Sequence, residues 1–135
     1  MITAVDTNVL LDVLGADATF GTRSASALRA CLQEGGLVAC EVVWAEIRCF
    51  FPSSEAVSRH LQTLGIAFQP LSADSALEAG RAWQAYRQQG GKRERVAADF
   101  LIGAHAAKHC DRLLTRDRGF YRSYFDGLSV LDPSA

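Results

Sequence analysis

The chain has 135 residues, of which 49% are hydrophobic and 21% charged, so it is long enough to bury a core and is not a disordered segment. No apolar run is long enough to cross a bilayer. The N-terminal stretch contains Asp6 and no basic leader, unlike a signal peptide, so we expect a cytoplasmic protein with one domain over residues 1–135. The net charge of −1 hides an uneven distribution, because residues 81–122 carry ten basic and four acidic side chains.

Short apolar segments alternate with amphipathic ones along the chain. The apolar segments predict strands at Ile2–Val5, Leu37–Cys40, Ile66–Leu71 and Arg112–Thr115, with a candidate fifth strand at Ser129–Leu131. Helical spacing and caps predict helices at Asn8–Leu14, Thr22–Glu34, Glu41–Phe51, Ser53–Leu64, Ser72–Gln89 and Ala97–His109. This alternation predicts an α/β fold with a parallel sheet covered on both faces.

Two aspartates follow predicted strands. Asp6 comes directly after Ile2–Val5, and Asp117 comes two residues after Thr115. Sites in open parallel sheets lie at the carboxyl ends of the strands, so these carboxylates converge if their strands are neighbours. Aspartate is also a common turn and cap residue, so neither position identifies a site on its own.

Two further acids occupy helices. Glu46 has helical spacing to Val42, Val43 and Phe50, which places a carboxylate on an apolar face. Asp99 opens a helix rich in small residues and shares a face with Gly103, which would leave a notch beside the carboxylate for an ion. The first turn of a helix also favours an acid through the helix dipole alone.

Four gathered carboxylates would repel one another, and a divalent cation removes that repulsion. Magnesium binds through a few carboxylates and keeps several waters, and it can activate a water against a phosphodiester. The chain contains no GxSxG, Walker or Cys/His signature that would supply another chemistry. The acids therefore favour a metal-dependent nuclease.

Four segments, taken in order, resemble a known family. Val5-Asp-Thr-Asn-Val-Leu-Leu11 resembles the opening motif of PIN-domain nucleases, and Glu46 lies at the position of their central acid. The runs from Asp99 (DFLIGAHA) and from Leu113 (LLTRDRGFY) resemble the third and fourth motifs. The resemblance extends from Met1 to about Leu131, and the size and the TRDRGF run are similar to the VapC-type toxins of toxin–antitoxin pairs.

The resemblance implies a three-layer α/β/α fold with a central parallel sheet of four or five strands. It implies a Mg²⁺- or Mn²⁺-dependent endoribonuclease that forms a homodimer and is inhibited by a cognate antitoxin. By position, the catalytic acids are Asp6, Glu46, Asp99 and Asp117, of which Asp6, Asp99 and Asp117 would bind the metal. Accessory polar positions match Thr7, Asn8 and Thr115. Gly119 stands where some relatives carry another acid, which leaves the number of metal ions open.

Basic side chains adjoin two of the motifs and are candidates to hold RNA phosphates. They are Lys92, Arg93, Arg95, Arg116 and Arg118. Tyr121 and Tyr124 are weaker candidates for base stacking, in a predicted loop after Asp117. His105 and His109 lack the intervening Glu of a zinc helix and are interpreted as packed or solvated.

Two alternatives stay open at this point. A nuclease of RNA maturation or DNA processing would use the same acids, because substrate choice depends on surface shape. A phospho-acceptor receiver domain would also have aspartates at strand ends, but it requires adjacent acids after the first strand. Here Asp6 lies between Val5 and Thr7, so the receiver is disfavoured.

Overall fold

The computed structural model describes residues 1–91 and 97–135. Its sheet is built around the N-terminal strand β1 (Ile2–Val5), which pairs in parallel with β2 (Gly36–Ala39) on one side and β4 (Arg112–Leu114) on the other. β3 (Ile66–Phe68) and β5 (Ser129–Leu131) form the edges, so the order is β3-β2-β1-β4-β5, with every pairing parallel. The five-stranded parallel sheet confirms the predicted α/β class.

Helices cover both faces of this sheet. They are α1 (Thr7–Leu14), α2 (Gly21–Glu34), α3 (Glu41–Arg48), α4 (Ser54–Thr63), α5 (Ala73–Gln88), α6 (Ala97–His109) and α7 (Arg118–Tyr124). Thr3, Ala4 and Val5 are all buried, and because successive strand side chains point to opposite faces, the central strand is covered on both. None of the helices in the described ranges is both long and apolar enough to cross a membrane.

Close backbone approach explains one glycine at the start of β2. A side chain on Gly35 would place its Cβ against the Met1 carbonyl, so only glycine lets α2 turn directly into the strand beside β1. This joint brings Gly36 into register with Ile2. The position of β2, and of α3 after it, follows from that register.

The structure differs from the predicted elements at three places. The predicted strand at Ile66–Leu71 is only Ile66–Phe68, because Leu71 donates its N–H to Glu41 and Ser72 caps α5. The helix predicted at Glu41–Phe51 ends at Arg48. The segment after Asp117, predicted as a loop, is the helix α7.

The strand order also decides against the receiver alternative. Receiver domains have the flavodoxin-like order 2-1-3-4-5, in which the first strand neighbours the third. Here the first strand neighbours β2 and β4 instead. The carboxyl ends of β1 and β4 are adjacent, so the side chains that follow these two strands meet at one edge of the sheet.

Candidate active site

Asp6 lies where β1 ends and α1 begins. Its backbone N–H donates to the Leu114 carbonyl at 3.0 Å, which joins the ends of β1 and β4. Its side chain is buried, and Oδ1 accepts a hydrogen bond of 2.7 Å from the N–H of Thr7. Oδ2 accepts from the hydroxyls of Thr115 at 2.7 Å and Tyr121 at 3.1 Å. The carboxylate is therefore fixed by the loops of both strands.

The accessory polar residues link those two loops to each other. Asn8 Nδ2 donates to Asp6 Oδ2 and to Thr115 Oγ1, each at 3.3 Å, while Asn8 Oδ1 accepts from the N–H of Arg116 at 3.2 Å. Thr115 Oγ1 also accepts the N–H of Asp117 at 3.0 Å. The network thus sets the backbone of Asp117 relative to the carboxylate of Asp6.

Glu46 joins this group through a single hydroxyl. Thr7 Oγ1 donates to Glu46 Oε1 at 2.6 Å, so one residue bridges the start of α1 and the middle of α3. Glu46 is half-buried, between the buried Val43 and Ile47 on one side and solvent on the other. Phe50, which the spacing placed on the same apolar face, is 66% exposed because α3 ends before it.

Asp99 and Asp117 face the same region from α6 and from the residue before α7. Both are half-buried. Burial raises the pKa of Tyr121 well above its usual value, and the charges of Asp6, Asp99 and Asp117 raise it further. The hydroxyl of Tyr121 therefore lies in the combined field of three of the four predicted acids. The fourth, Glu46, is linked to Asp6 through Thr7.

The surroundings of Asp6 disfavour its negative charge. Its pKa is raised to about 6, chiefly by burial, with a smaller contribution from the charge of Asp99. Hydrogen bonds from Thr115, Thr7 and Tyr121 act in the opposite direction and lower the pKa. The net result is a buried carboxylate that gains stability when a cation neutralises it.

The donor set matches a hard divalent cation. Carboxylate oxygens are the ligands that Mg²⁺ and Mn²⁺ prefer, and Mg²⁺ uses one or two carboxylates and keeps the remaining positions for water. Within residues 1–91 and 97–135, no three His, Cys, Asp or Glu side chains are close enough to enclose an ion by themselves. An open site completed by water fits these residues better than a closed cage.

The predicted phosphate-binding cations divide into three cases. The guanidinium of Arg116 is already engaged by other side chains. Its Nε and Nη2 donate to the buried Asp12 at 2.7 and 3.0 Å, and it lies over the ring of Phe20 at 4.0 Å. Arg118 is half-exposed and lies 3.7 Å from Asp132. Lys92, Arg93 and Arg95 lie outside the described residues, so their predicted role stays a prediction.

Two further expectations about this region are wrong. Tyr121 is 1% exposed and cannot stack on a base. The notch expected at Gly103 is filled by the ring of Phe125, which a Cβ on this glycine would meet at 2.4 Å. The sequence did hold a signal for both, since the apolar residues at 120, 121, 124 and 125 have the spacing of an amphipathic helix.

The comparisons with known proteins agree with this architecture. Residues 3–126 match the family model described as PIN domain. Among solved structures, VapBC2 of Rickettsia felis, bound to a promoter DNA fragment, aligns with a TM-score of 0.76 at 18% identity, over 98% of each chain. VapBC-1 of nontypeable Haemophilus influenzae aligns with a TM-score of 0.76 at 17% identity, over 100% of each chain.

A third similar structure is that of VapC20 of Mycobacterium tuberculosis, a toxin that cleaves the sarcin–ricin loop. It aligns with a TM-score of 0.61 at 15% identity, over 94% of this chain and 98% of that one. No protein of curated function matches the sequence significantly. At these identities the solved structures establish the shared fold, while the family follows from the match over residues 3–126.

Proposed function

The chain belongs to the PIN-domain family of nucleases, and from that premise we propose that it is a metal-dependent endoribonuclease toxin controlled by a cognate antitoxin. The observation that carries the proposal is the buried carboxylate of Asp6. It is held by Thr115, Tyr121 and Thr7, lies in the field of Asp99, and has a pKa raised to about 6. The hydrogen-bond partners of this carboxylate are all uncharged, so none of them neutralises its charge.

In the proposed site, Asp6, Asp99 and Asp117 would hold Mg²⁺ or Mn²⁺ together with water, and Glu46 would act in the same site. When bound, the ion supplies charge stabilisation for the phosphodiester and lowers the pKa of a water. Glu46 would accept a proton from the attacking water. Its carboxylate is held in place by the hydroxyl of Thr7, which donates to Oε1. Asn8 and Thr115 keep Asp6 in one orientation, so the metal ligand does not have to be ordered during each turnover.

The proposed partner is an antitoxin segment that folds along an apolar groove near α3 and α4. Phe50 and Phe68 are 66% and 53% exposed, and Trp44 packs edge-on to Phe68 at 5.6 Å between ring centres. A further similar solved structure, from Klebsiella pneumoniae, is a toxin–antitoxin complex. We expect Trp44→Ala to weaken co-purification with the product of the adjacent gene, while Trp83→Ala, on α5, leaves it unchanged. Equal recovery with both variants would contradict the groove.

The proposed homodimer is tested separately by light scattering of the purified chain.

A nuclease of RNA maturation or DNA processing remains the second candidate function, because the same acids would serve it. Mapping the cleaved RNAs after expression of the chain alone distinguishes the two: growth arrest with cleavage of a few RNAs supports the toxin. Accumulation of unprocessed precursors when the gene is deleted supports the alternative.

The metal mechanism is tested with purified protein. EDTA should abolish RNA cleavage, and Mg²⁺ or Mn²⁺ should restore it. Asp6→Asn and Asp99→Asn should each reduce the rate by at least about 10²-fold and remove growth inhibition, with unchanged circular dichroism. Asp74→Asn, at an exposed acid in the first turn of α5, serves as the matched control and should retain activity. Cleavage that resists EDTA and survives in both acid variants would reject this site.

A further inference from the structure

Tyr121 is the last residue of the LLTRDRGFY run, and the resemblance assigns no role to its buried hydroxyl. It is 1% exposed, on the first turns of α7, and its OH lies 3.1 Å from Asp6 Oδ2. The ring packs against Phe120 at 5.0 Å and against Phe125 at 6.3 Å between ring centres. A tyrosine serving only to fill the core could be phenylalanine, so the hydroxyl needs its own explanation.

The two oxygens of the Asp6 carboxylate are occupied unequally. Oδ2 accepts hydrogen bonds from Thr115, Tyr121 and the more distant Asn8 amide, which fill its acceptor capacity. Oδ1 accepts only the N–H of Thr7 among the bonds of the described residues, which leaves one lone pair. The carboxylate therefore keeps an acceptor position open on Oδ1, while Oδ2 is filled.

We propose that Tyr121 is a positioning residue for Asp6. The hydroxyl of Tyr121 saturates Oδ2 of Asp6, so that Oδ1 would be the oxygen left for the metal. The inference rests on the proposed function, since it assumes that Asp6 binds a divalent ion. Tyr121 also lies on the helix that directly follows Asp117, and it thereby ties the placement of that helix to the orientation of Asp6. Groups that orient a metal ligand in this way commonly change metal affinity or activity by 10–100-fold when removed.

Tyr121→Phe tests the proposal, with Tyr124→Phe as the matched control. Tyr124 is on the same helix and in the same aromatic cluster, but its hydroxyl contacts Gln89 at 3.4 Å and not an acid. We expect Tyr121→Phe to weaken Mn²⁺ binding about ten-fold by calorimetry, and to lower kcat about ten-fold with KM for RNA unchanged. Tyr124→Phe should leave all three values as in the wild type.

A second measurement does not depend on the stability of the variant. The chain has three tyrosines, so 3-fluorotyrosine labelling gives three ¹⁹F resonances, which Tyr86→Phe and Tyr124→Phe variants assign. Mg²⁺ should shift the resonance of Tyr121 more than those of Tyr86 and Tyr124. This shift should be lost in Asp6→Asn.

The outcomes separate this inference from the proposed function. If the wild type binds Mn²⁺ through Asp6 but Tyr121→Phe matches Tyr124→Phe, the positioning role is wrong and the nuclease site stands. A Tyr121 resonance that does not move while Mg²⁺ binds would also overturn the positioning role. If the wild type binds no Mn²⁺ at all, the proposed metal site fails, and this inference fails with it.

Discussion

Asp6 links the chemistry of the site to the stability of the fold. Its pKa is about 6 in the folded chain against an ordinary value of 3.8. Between these values the folded state holds a proton that the unfolded state has lost. Asp6 therefore contributes stability that is fully present below pH 3.8 and is lost as the pH rises through 6. At neutral pH without a metal ion, the charged carboxylate weakens the fold.

This argument predicts a pH-dependent effect of Asp6→Asn in EDTA. Between pH 5 and pH 7.5 the wild type should lose about 1 kcal/mol of unfolding free energy relative to the variant, as measured by urea denaturation. Comparison with the variant is needed because buried His105, whose pKa is lowered to about 4, has the opposite pH dependence over part of this range. Mg²⁺ should stabilise only the wild type, and parallel pH profiles would contradict the prediction.

At the scale of elements, α6 and α7 meet at Gly103. This residue is one turn beyond Asp99, and a Cβ would stand 2.4 Å from the Phe125 ring, just after α7. Gly103→Ala should therefore push the two helices apart, with an expected loss of about 1–3 kcal/mol of unfolding free energy. Cleavage should fall as well, because Asp99 moves with α6.

Gly80 provides the matched control for this substitution. It lies inside α5, and a Cβ there meets no atom within 4 Å. Gly80→Ala should raise the unfolding free energy by up to about 1 kcal/mol, because alanine favours a helix more than glycine does. Thermal unfolding of both variants measures the two effects. An unchanged unfolding free energy in Gly103→Ala would show that the contact between α6 and Phe125 accommodates an added methyl group.

Arg116 joins the loop after β4 to α1. Because its guanidinium binds Asp12, which is buried and also accepts from Ser24 at 2.8 Å, we expect a structural effect on substitution. Arg116→Gln should cost about 2 kcal/mol of unfolding free energy by leaving Asp12 without its cation. Arg118→Gln, at a half-exposed arginine, should keep stability and weaken RNA binding. The reverse pattern, measured by urea denaturation and by RNA titration, would restore Arg116 as the phosphate ligand.

The sequence predicted some elements better than others, for physical reasons. β1, β2 and β4 are short and mostly buried, and the predicted strands match their bounds to within one residue, so the strands and the position of Asp6 after β1 could be read from the pattern. α7 was missed because it has only seven residues, so the helical spacing of its apolar positions extends over less than two turns. Its helix depends on aromatic contacts with Phe100, which is distant in sequence.

The same limit applies within the site. Thr7, Asn8 and Thr115 could be named because they match accessory positions of the PIN-domain motifs, whereas the hydroxyl of Tyr121 reaches Asp6 across 115 positions. The pairing of Arg116 with Asp12 likewise spans 104 positions. Contacts of this kind depend on the docking of helices onto the sheet, which local spacing does not encode. The sequence therefore pointed to the four acids and to the polar residues beside them, but not to the contact between Tyr121 and Asp6.

At the scale of the whole molecule, the charge is divided between the two parts of the chain. The ten basic side chains of residues 81–122 include Lys92, Arg93 and Arg95, which precede α6 and Asp99 in sequence. We propose that they bind RNA phosphates. Each phosphate contact with a single strand contributes a slope of about −0.7 to log K against log salt.

Replacing these three residues with alanine should therefore make the salt dependence of RNA binding shallower by about 2 units of slope. Metal binding should be unchanged. Arg23→Ala/Arg29→Ala, two substitutions on α2, provides the control and should leave the slope as it is. Titration of a fluorescent RNA from low to physiological salt measures both. An unchanged slope in the triple variant would mean that this segment is only a solvated run of charges.

The central position of β1 has a consequence for the synthesis of the chain. β1 is the first strand to be translated, and Asp6 follows it directly. The carboxylate of Asp6, however, accepts its hydrogen bonds from Thr115, 109 positions later, and from Tyr121 beyond it. At 5–20 residues per second, roughly 5–20 s separate the translation of Asp6 from that of Thr115. A partly translated chain thus lacks the partners of its own first acid. Nuclease activity can therefore begin only after nearly the whole domain has left the ribosome. A chain that is released before Thr115 and Tyr121 are made would be inactive and harmless.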